Sequence, residues 1–167
     1  MTTDQTVSSN FSNRLRLRVC GILLTDQGLL MARHAPFGPA GELWIPPGGG
    51  MQYAETAEEA LIREFKEETH LDVQPGRLLF VSEVMDLPIH AVELFFEIDA
   101  YSGKLGVGTD PELSSDKQIL KEITFLSESA INQIPTEKLH NIFKYLHNKD
   151  GLISFDSLLR LNGKYIS

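Results

Sequence analysis

Hydrophobic positions recur along this chain in two rhythms. A period of two marks strands: Val92, Leu94, Phe96 and Ile98 share one face of a segment from His90 to Tyr101, as alternate residues of an extended chain do. A period near 3.6 marks helices: Leu139, Ile142, Phe143 and Leu146 form an apolar stripe that predicts an amphipathic helix from Pro135 to Asn148. Arg14 to Thr25 and Leu29 to His34 read as neighbouring strands joined by the turn Asp26-Gln27-Gly28. Pro36, Gly38, Pro39 and Gly41 make a loop of His34 to Leu43. Further on, Gly76 interrupts the pattern, a strand is predicted from Arg77 to Met85, and Asp86-Leu87-Pro88 turns the chain. The stretch from Tyr101 to Ser115, rich in Gly, Ser and Asp, is expected to be an exposed loop before a short strand from Ile119 to Leu126. Residues 1–13 read as a loosely attached tail. At the other end, Leu152, Ile153, Phe155, Leu158, Leu159 and Leu161 make residues 151–167 too apolar for a free tail, so they are expected to cover the core or a partner subunit. Periodicity alone therefore predicts one mixed α and β domain over residues 14–150.

One helix carries the chemistry. Thr56 followed by Glu59 is a capping box, which places the N-cap at Thr56 and the first helical residue at Ala57. Ahead of it lies the tight run Pro47-Gly48-Gly49-Gly50; at its far end stands Arg63-Glu64-Phe65-Lys66-Glu67-Glu68. Glu64, Glu67 and Glu68 fall at i, i+3 and i+4 and so share a face. With Glu64 as zero, Glu68 lies at about 40° and Glu67 at about 300°, whereas Leu61 and Phe65 lie at about 60° and about 100°. The carboxylates therefore overlap the edge of the apolar stripe, and Glu59, Arg63, Lys66 and His70 take the outward sector. A solvated face would hold its acids outward. These three also occupy the last two turns, where the helix macrodipole disfavours each exposed anion by roughly 0.3–1 kcal/mol. Carboxylates gathered against both rules call for a compensating positive charge, and a hard divalent cation such as Mg²⁺ or Mn²⁺ suits oxygen donors.

Composition narrows the setting. The chain has 167 residues, 42% hydrophobic and 23% charged, enough for one domain with a real core. A net charge of −8 works against nucleic-acid binding, which needs a basic surface, but leaves a small phosphorylated substrate open. The single Cys20 sits in an apolar stretch and reads as a buried strand residue. The polar start MTTDQTVSSNFSN lacks a hydrophobic run, and no segment is apolar enough to span a bilayer, so a cytoplasmic location is expected.

The stretch from Gly49 to Leu71 resembles the Nudix box: Gly, five residues, Glu, seven residues, then Arg-Glu-apolar-x-Glu-Glu-x-Gly-apolar. Gly49, Glu55, Arg63, Glu64, Phe65, Glu67, Glu68 and Leu71 match it, and His70 stands where the family has glycine. The approach Trp44-Ile45-Pro46-Pro47-Gly48 also resembles that of the family. The resemblance implies an α/β (α+β) Nudix fold, an α/β/α sandwich with a mixed β-sheet, in an enzyme that hydrolyses a diphosphate linkage in a nucleoside diphosphate derivative. Its substrate would be a small nucleotide: ADP-ribose, a nucleotide sugar or a nucleoside triphosphate. It further implies that Glu64 and Glu68 are the main metal ligands, with Glu67 and the carbonyl of Gly48 completing the set, and that Arg63 and Glu55 brace the loop against the helix. A later acid serves many members as base; Glu112, Asp116 and Glu122 are the candidates here, with Glu83 and Glu93 behind them on strands where they are expected to face solvent.

His34 and His90, at strand ends, read as ordinary surface or core histidines rather than ligands. Arg33 is placed equally well against a substrate phosphate or in solvent. Phe37 and Tyr53 are positioned to stack on a base, whereas Trp44 fits the core better. A homodimer is compatible with the family, and the alternative function is a non-catalytic Nudix-fold ligand sensor. Intact box carboxylates favour the enzyme.

Overall fold

Parallel strand pairing organises the molecule. In the computed structural model, which describes residues 13–109, 118–161 and 163–166, β1 (Leu15–Ile22) lies beside β7 (Ile89–Ser102) in parallel, from Leu15 opposite His90 to Ile22 opposite Glu97. Around this pair, β5 (Gly48–Gly50), β6 (Asp72–Asp86) and β9 (Lys164–Ile166) complete a five-stranded mixed sheet in the order β5-β1-β7-β6-β9. A second sheet joins β2 (Leu24–Thr25), β3 (Gly28–His34) and β4 (Leu43–Ile45), with β8 (Leu120–Leu126) along β3. A parallel pair needs a long crossover; here the crossover contains most of the second sheet, β5 and the acidic helix. The result is a mixed α+β fold with a mixed sheet.

That helix, α1 (Ala57–Thr69), starts as its residues dictate. The Glu59 N–H donates to Thr56 Oγ1 at 3.2 Å and the Thr56 N–H to the Glu59 carboxylate at 2.8 Å. Ala60, Leu61, Phe65 and Thr69 are buried against the larger sheet. On the opposite face of that sheet Phe80 and Phe95 stack with centroids 4.6 Å apart, and the ring of His140 lies 6.0 Å from Phe95.

Three departures from the sequence reading have physical causes. The helix expected from Pro135 to Asn148 does not form; 3-10 turns at Thr136–Lys138 and Asn141–Tyr145 flank extended Leu139 and His140. Leu139 pairs with Trp44 as in a strand, and the His140 N–H donates to the Trp44 carbonyl at 2.9 Å. The stripe residues Leu139, Ile142, Phe143 and Leu146 are still buried, because burial needs only that they face inward, while neighbouring backbone supplies the hydrogen bonds a helix would have made. β6 begins at Asp72 rather than Arg77, running through Pro75 and Gly76 by register shifts against β7. Two short helices, α2 (Glu128–Ile131) and α3 (Asp156–Arg160), escaped the periodicity because neither is long enough to show one. Downstream of Gly151, Ile153, Leu158, Leu161 and Ile166 enter the same core cluster as β1 and β7, and β9 pairs in parallel with β6.

Candidate active site

The glycine run and α1 meet where β5 pairs with β1. Gly48 lies opposite Cys20 and Gly50 opposite Arg18, so the loop is held flat against the sheet edge. Gly48 has φ +149°, and a Cβ on it would stand 2.0 Å from the Val19 carbonyl oxygen. At Gly49 a Cβ would come within 2.4 Å of the Glu64 carboxyl. Only glycine allows this approach of loop to helix.

Arg63 clamps the arrangement. Its Nε and Nη2 donate to the two oxygens of Glu55 at 3.1 and 2.7 Å, and Nη2 also donates to the Gly50 carbonyl at 2.9 Å. Nη1 donates to Glu64 at 2.8 Å and to Glu67 at 3.2 Å. A helical wheel points Arg63 outward, yet its long stem curls back over the loop, drawn by a carboxylate and a carbonyl that the wheel does not contain. Hydrogen bonds from Arg63 hold the Glu55 carboxyl below the usual carboxylate range, against a smaller opposing effect of burial.

Glu68 points inward and is 7% exposed. It accepts the Gly48 N–H at 3.0 Å, and His34 Nε2 lies 3.4 Å from its other oxygen. Gly48 thus touches the acidic helix through its N–H. Glu64 is pushed up to about 7, first by burial and then by the negative charges of Glu68 and Glu67, with Arg63 opposing. The helix end beneath these acids is closed by backbone: Gly106, Gly108 and Thr109 donate their N–H groups to the carbonyls of Thr69, Glu68 and Glu67 at 3.1, 2.8 and 3.1 Å. This removes the exposed carbonyls that make a helix C-terminus hostile to anions. His70 takes the left-handed position at φ 63°, ψ 4°, so the helix ends where the missing glycine would have ended it.

Three carboxylates (Glu55, Glu64 and Glu67) therefore share a single guanidinium, Arg63, while Glu68 meets the Gly48 N–H and His34. Among the described residues no three acidic, imidazole or thiol groups stand at coordinating separation; Glu64 and Glu67 are turned onto Arg63. The donors are nonetheless hard oxygens with surplus negative charge, which fits Mg²⁺ or Mn²⁺.

The remaining candidates disperse. Glu112 and Asp116 lie outside the described residues. Glu122, on β8, pairs with Arg33 at 3.1 Å, and neither lines the cleft beside the glutamates. Arg33 also sits over the Trp44 ring at 5.8 Å. Glu83 accepts from His90 at 2.8 Å and from the Tyr165 hydroxyl, and none of the three lines the cleft. Tyr53 is fully exposed and outside it, whereas Phe37 and His34 line it. Glu93, expected to face solvent, is 3% exposed on the cleft floor between Arg18 and His140. Arg18 and His140 were not anticipated; Arg18 carried a signal, a charged residue on a strand with Val19 and Cys20 buried beside it. The cleft itself is about 860 Å³ and runs from the glutamates along the inner face of the larger sheet.

The chain is similar to known proteins in both sequence and fold. The NUDIX domain family model matches residues 14–138. The ADP-ribose pyrophosphatase of Methanocaldococcus jannaschii is 32% identical over 117 residues, covering 68% of this chain and 69% of that one. Among solved structures, the MutT NUDIX hydrolase of Burkholderia pseudomallei overlays with a TM-score of 0.62 at 21% identity, over 77% of this chain and 92% of that one. The MutT protein of Methanosarcina mazei Go1 overlays at 0.64 and 16% identity, over 89% and 94%. With its box carboxylates gathered on one helix face, the chain belongs to the NUDIX family and is a Nudix pyrophosphohydrolase.

Proposed function

We propose that this protein hydrolyses the diphosphate linkage of ADP-ribose or a closely similar nucleoside diphosphate derivative, and that it depends on Mg²⁺ or Mn²⁺. The observation that carries the reading is the surplus of carboxylate around Arg63 at one end of a nucleotide-sized cleft. The 32% identical relative, an ADP-ribose pyrophosphatase, supports the choice of substrate.

Glu64, Glu67 and Glu68 would hold the cations, which when bound neutralise phosphate oxygens and lower the pKa of a water. The chain's own residues do the rest. Arg63 and Glu55 lock the glycine loop to α1, fixing the ligand carboxylates in place. Glu112 and Asp116 remain the proposed sources of a base, since Glu122 is held by Arg33 outside the cleft. No described helix is long and apolar enough to cross a membrane, and the charge of −8 suits a free nucleotide better than a nucleic acid.

The test is a screen of purified protein against ADP-ribose, nucleotide sugars and nucleoside triphosphates with Mg²⁺, Mn²⁺ or EDTA. Release of AMP from ADP-ribose only with a divalent cation is the expected result. Preferred turnover of triphosphates would overturn the substrate, and equal turnover in EDTA the metal dependence.

A further inference from the structure

The cleft floor holds a buried charged row that the box chemistry does not use. Neighbouring strands place Gly50, Arg18, Glu93 and Ser82 side by side across β5, β1, β7 and β6. Arg18 Nε lies 3.2 Å from one oxygen of Glu93, and His140 Nε2 lies 2.9 Å from the other. Burial alone would raise the Glu93 carboxyl, but His140 and Arg18 hold it below the usual range. Arg18 is partly open, with 17% of its side chain exposed, and it lines the cleft.

An isolated buried ion pair is a poor stabiliser: apolar residues of similar volume usually serve as well or better. Here the pair sits at the one place where an oriented guanidinium has something to meet. Arg18 stands beside Gly50 of the loop, near enough to Glu64 and Glu68 to feel their charge. A diphosphate brought to those glutamates therefore lies within the field of Arg18. Arg18 Nε is buried in ion-pair contact with Glu93 without a formed hydrogen bond, and the guanidinium that lines the cleft has the planar fork that suits phosphate oxygens. Arg16, two residues along the same strand face, extends the positive charge roughly 7 Å further along the cleft.

We propose that Arg18 is a substrate-binding residue that grips the diphosphate, and that Glu93 and His140 are positioning residues that hold its guanidinium in place. This rests on the pyrophosphohydrolase reading above and deepens it. Charge on the diphosphate is met from two sides, by the glutamate-held cations and by a fixed guanidinium from the sheet. His140 reaches this position because Leu139 and His140 are extended against Trp44 rather than helical.

The experiment compares wild type with Arg18→Gln, Arg18→Lys and Glu93→Gln in two measurements. In steady-state kinetics on ADP-ribose with Mg²⁺, Arg18→Gln raises KM at least tenfold while kcat falls less than threefold. Arg18→Lys, which keeps the charge and protects the fold, shows a smaller rise in KM, and Glu93→Gln raises KM with kcat retained. In calorimetric titration with inorganic diphosphate and Mg²⁺, Arg18→Gln weakens binding at least tenfold. Unchanged KM and unchanged diphosphate affinity in folded Arg18 variants overturn the proposal and leave Arg18 as a structural counter-charge. Wild-type protein that ignores ADP-ribose refutes that substrate alone, because the diphosphate titration still decides the role of Arg18.

Discussion

The carboxyl of Glu64 lies directly over the Cα of Gly49, so close that a methyl group there would stand 2.4 Å from its carbon. Loop and helix interlock at this point, and the lock is backed by Arg63, which binds Glu64, Glu55 and the Gly50 carbonyl together. Gly49→Ala must push Glu64 aside or move the loop. The expected outcome is a loss of kcat/KM of at least about 100-fold for a stability loss of about 1–3 kcal/mol, typical of overpacking. Parallel kinetics and thermal melts check it; activity within threefold of wild type would show that Glu64 need not hold this position.

Glu68→Gln is nearly isosteric and keeps an oxygen for the Gly48 N–H seen at 3.0 Å. It removes a charge from the proposed cation site and little packing. Activity should fall by orders of magnitude with the fold retained, read as kcat against Mg²⁺ concentration beside circular dichroism. Turnover close to normal would remove Glu68 from the set of ligands.

Glu64 makes metal-free stability depend on pH. Its carboxyl is raised to about 7 in the folded protein, chiefly by burial, so the native state holds this proton more tightly than the unfolded chain. Its contribution is full below the ordinary carboxylate range and is lost as pH rises through about 7, a change on the order of 3 kcal/mol at most. In EDTA, the melting temperature of wild type relative to Glu64→Gln should therefore drop between pH 5 and pH 8. Added Mg²⁺ should stabilise wild type more at pH 8 than at pH 5. A wild-type minus Glu64→Gln difference that does not vary with pH would contradict the shift.

His70 stands at φ 63° at the end of α1, a conformation costly for a residue with a Cβ. His70→Gly should raise stability by about 0.5–1 kcal/mol and leave kcat/KM unchanged, since the exposed imidazole lies outside the cleft. Thermal melts decide it. A destabilised variant would show that the imidazole contributes more than its backbone strain costs.

Local information was enough for much of this. The capping box of Thr56 and Glu59 and the placing of Glu64, Glu67 and Glu68 on one face follow from spacings within one helix, where 3.6-residue geometry alone sets neighbours, whereas the end of α1 at His70 carried no usual cap residue to signal it. The strand from Ile89 to Ser102 was legible for the same reason, since alternation reports its buried face directly. The helix expected from Pro135 failed because an apolar stripe records only burial; which backbone satisfies Leu139 and His140 depends on Trp44, far away in the chain.

The acidic helix, its N-terminal capping box and its glycine approach were thus legible from the chain alone, because each is written in contacts between near neighbours. Tertiary structure alone decided that Arg63 turns back to Glu55 and the Gly50 carbonyl, that Gly106 to Thr109 close the helix end, and that Glu93 is buried between Arg18 and His140. Those partners come from segments tens of residues apart. Their meeting depends on the parallel register of β1 and β7, and pairing register is set by the packing of whole faces rather than by any local run of residues.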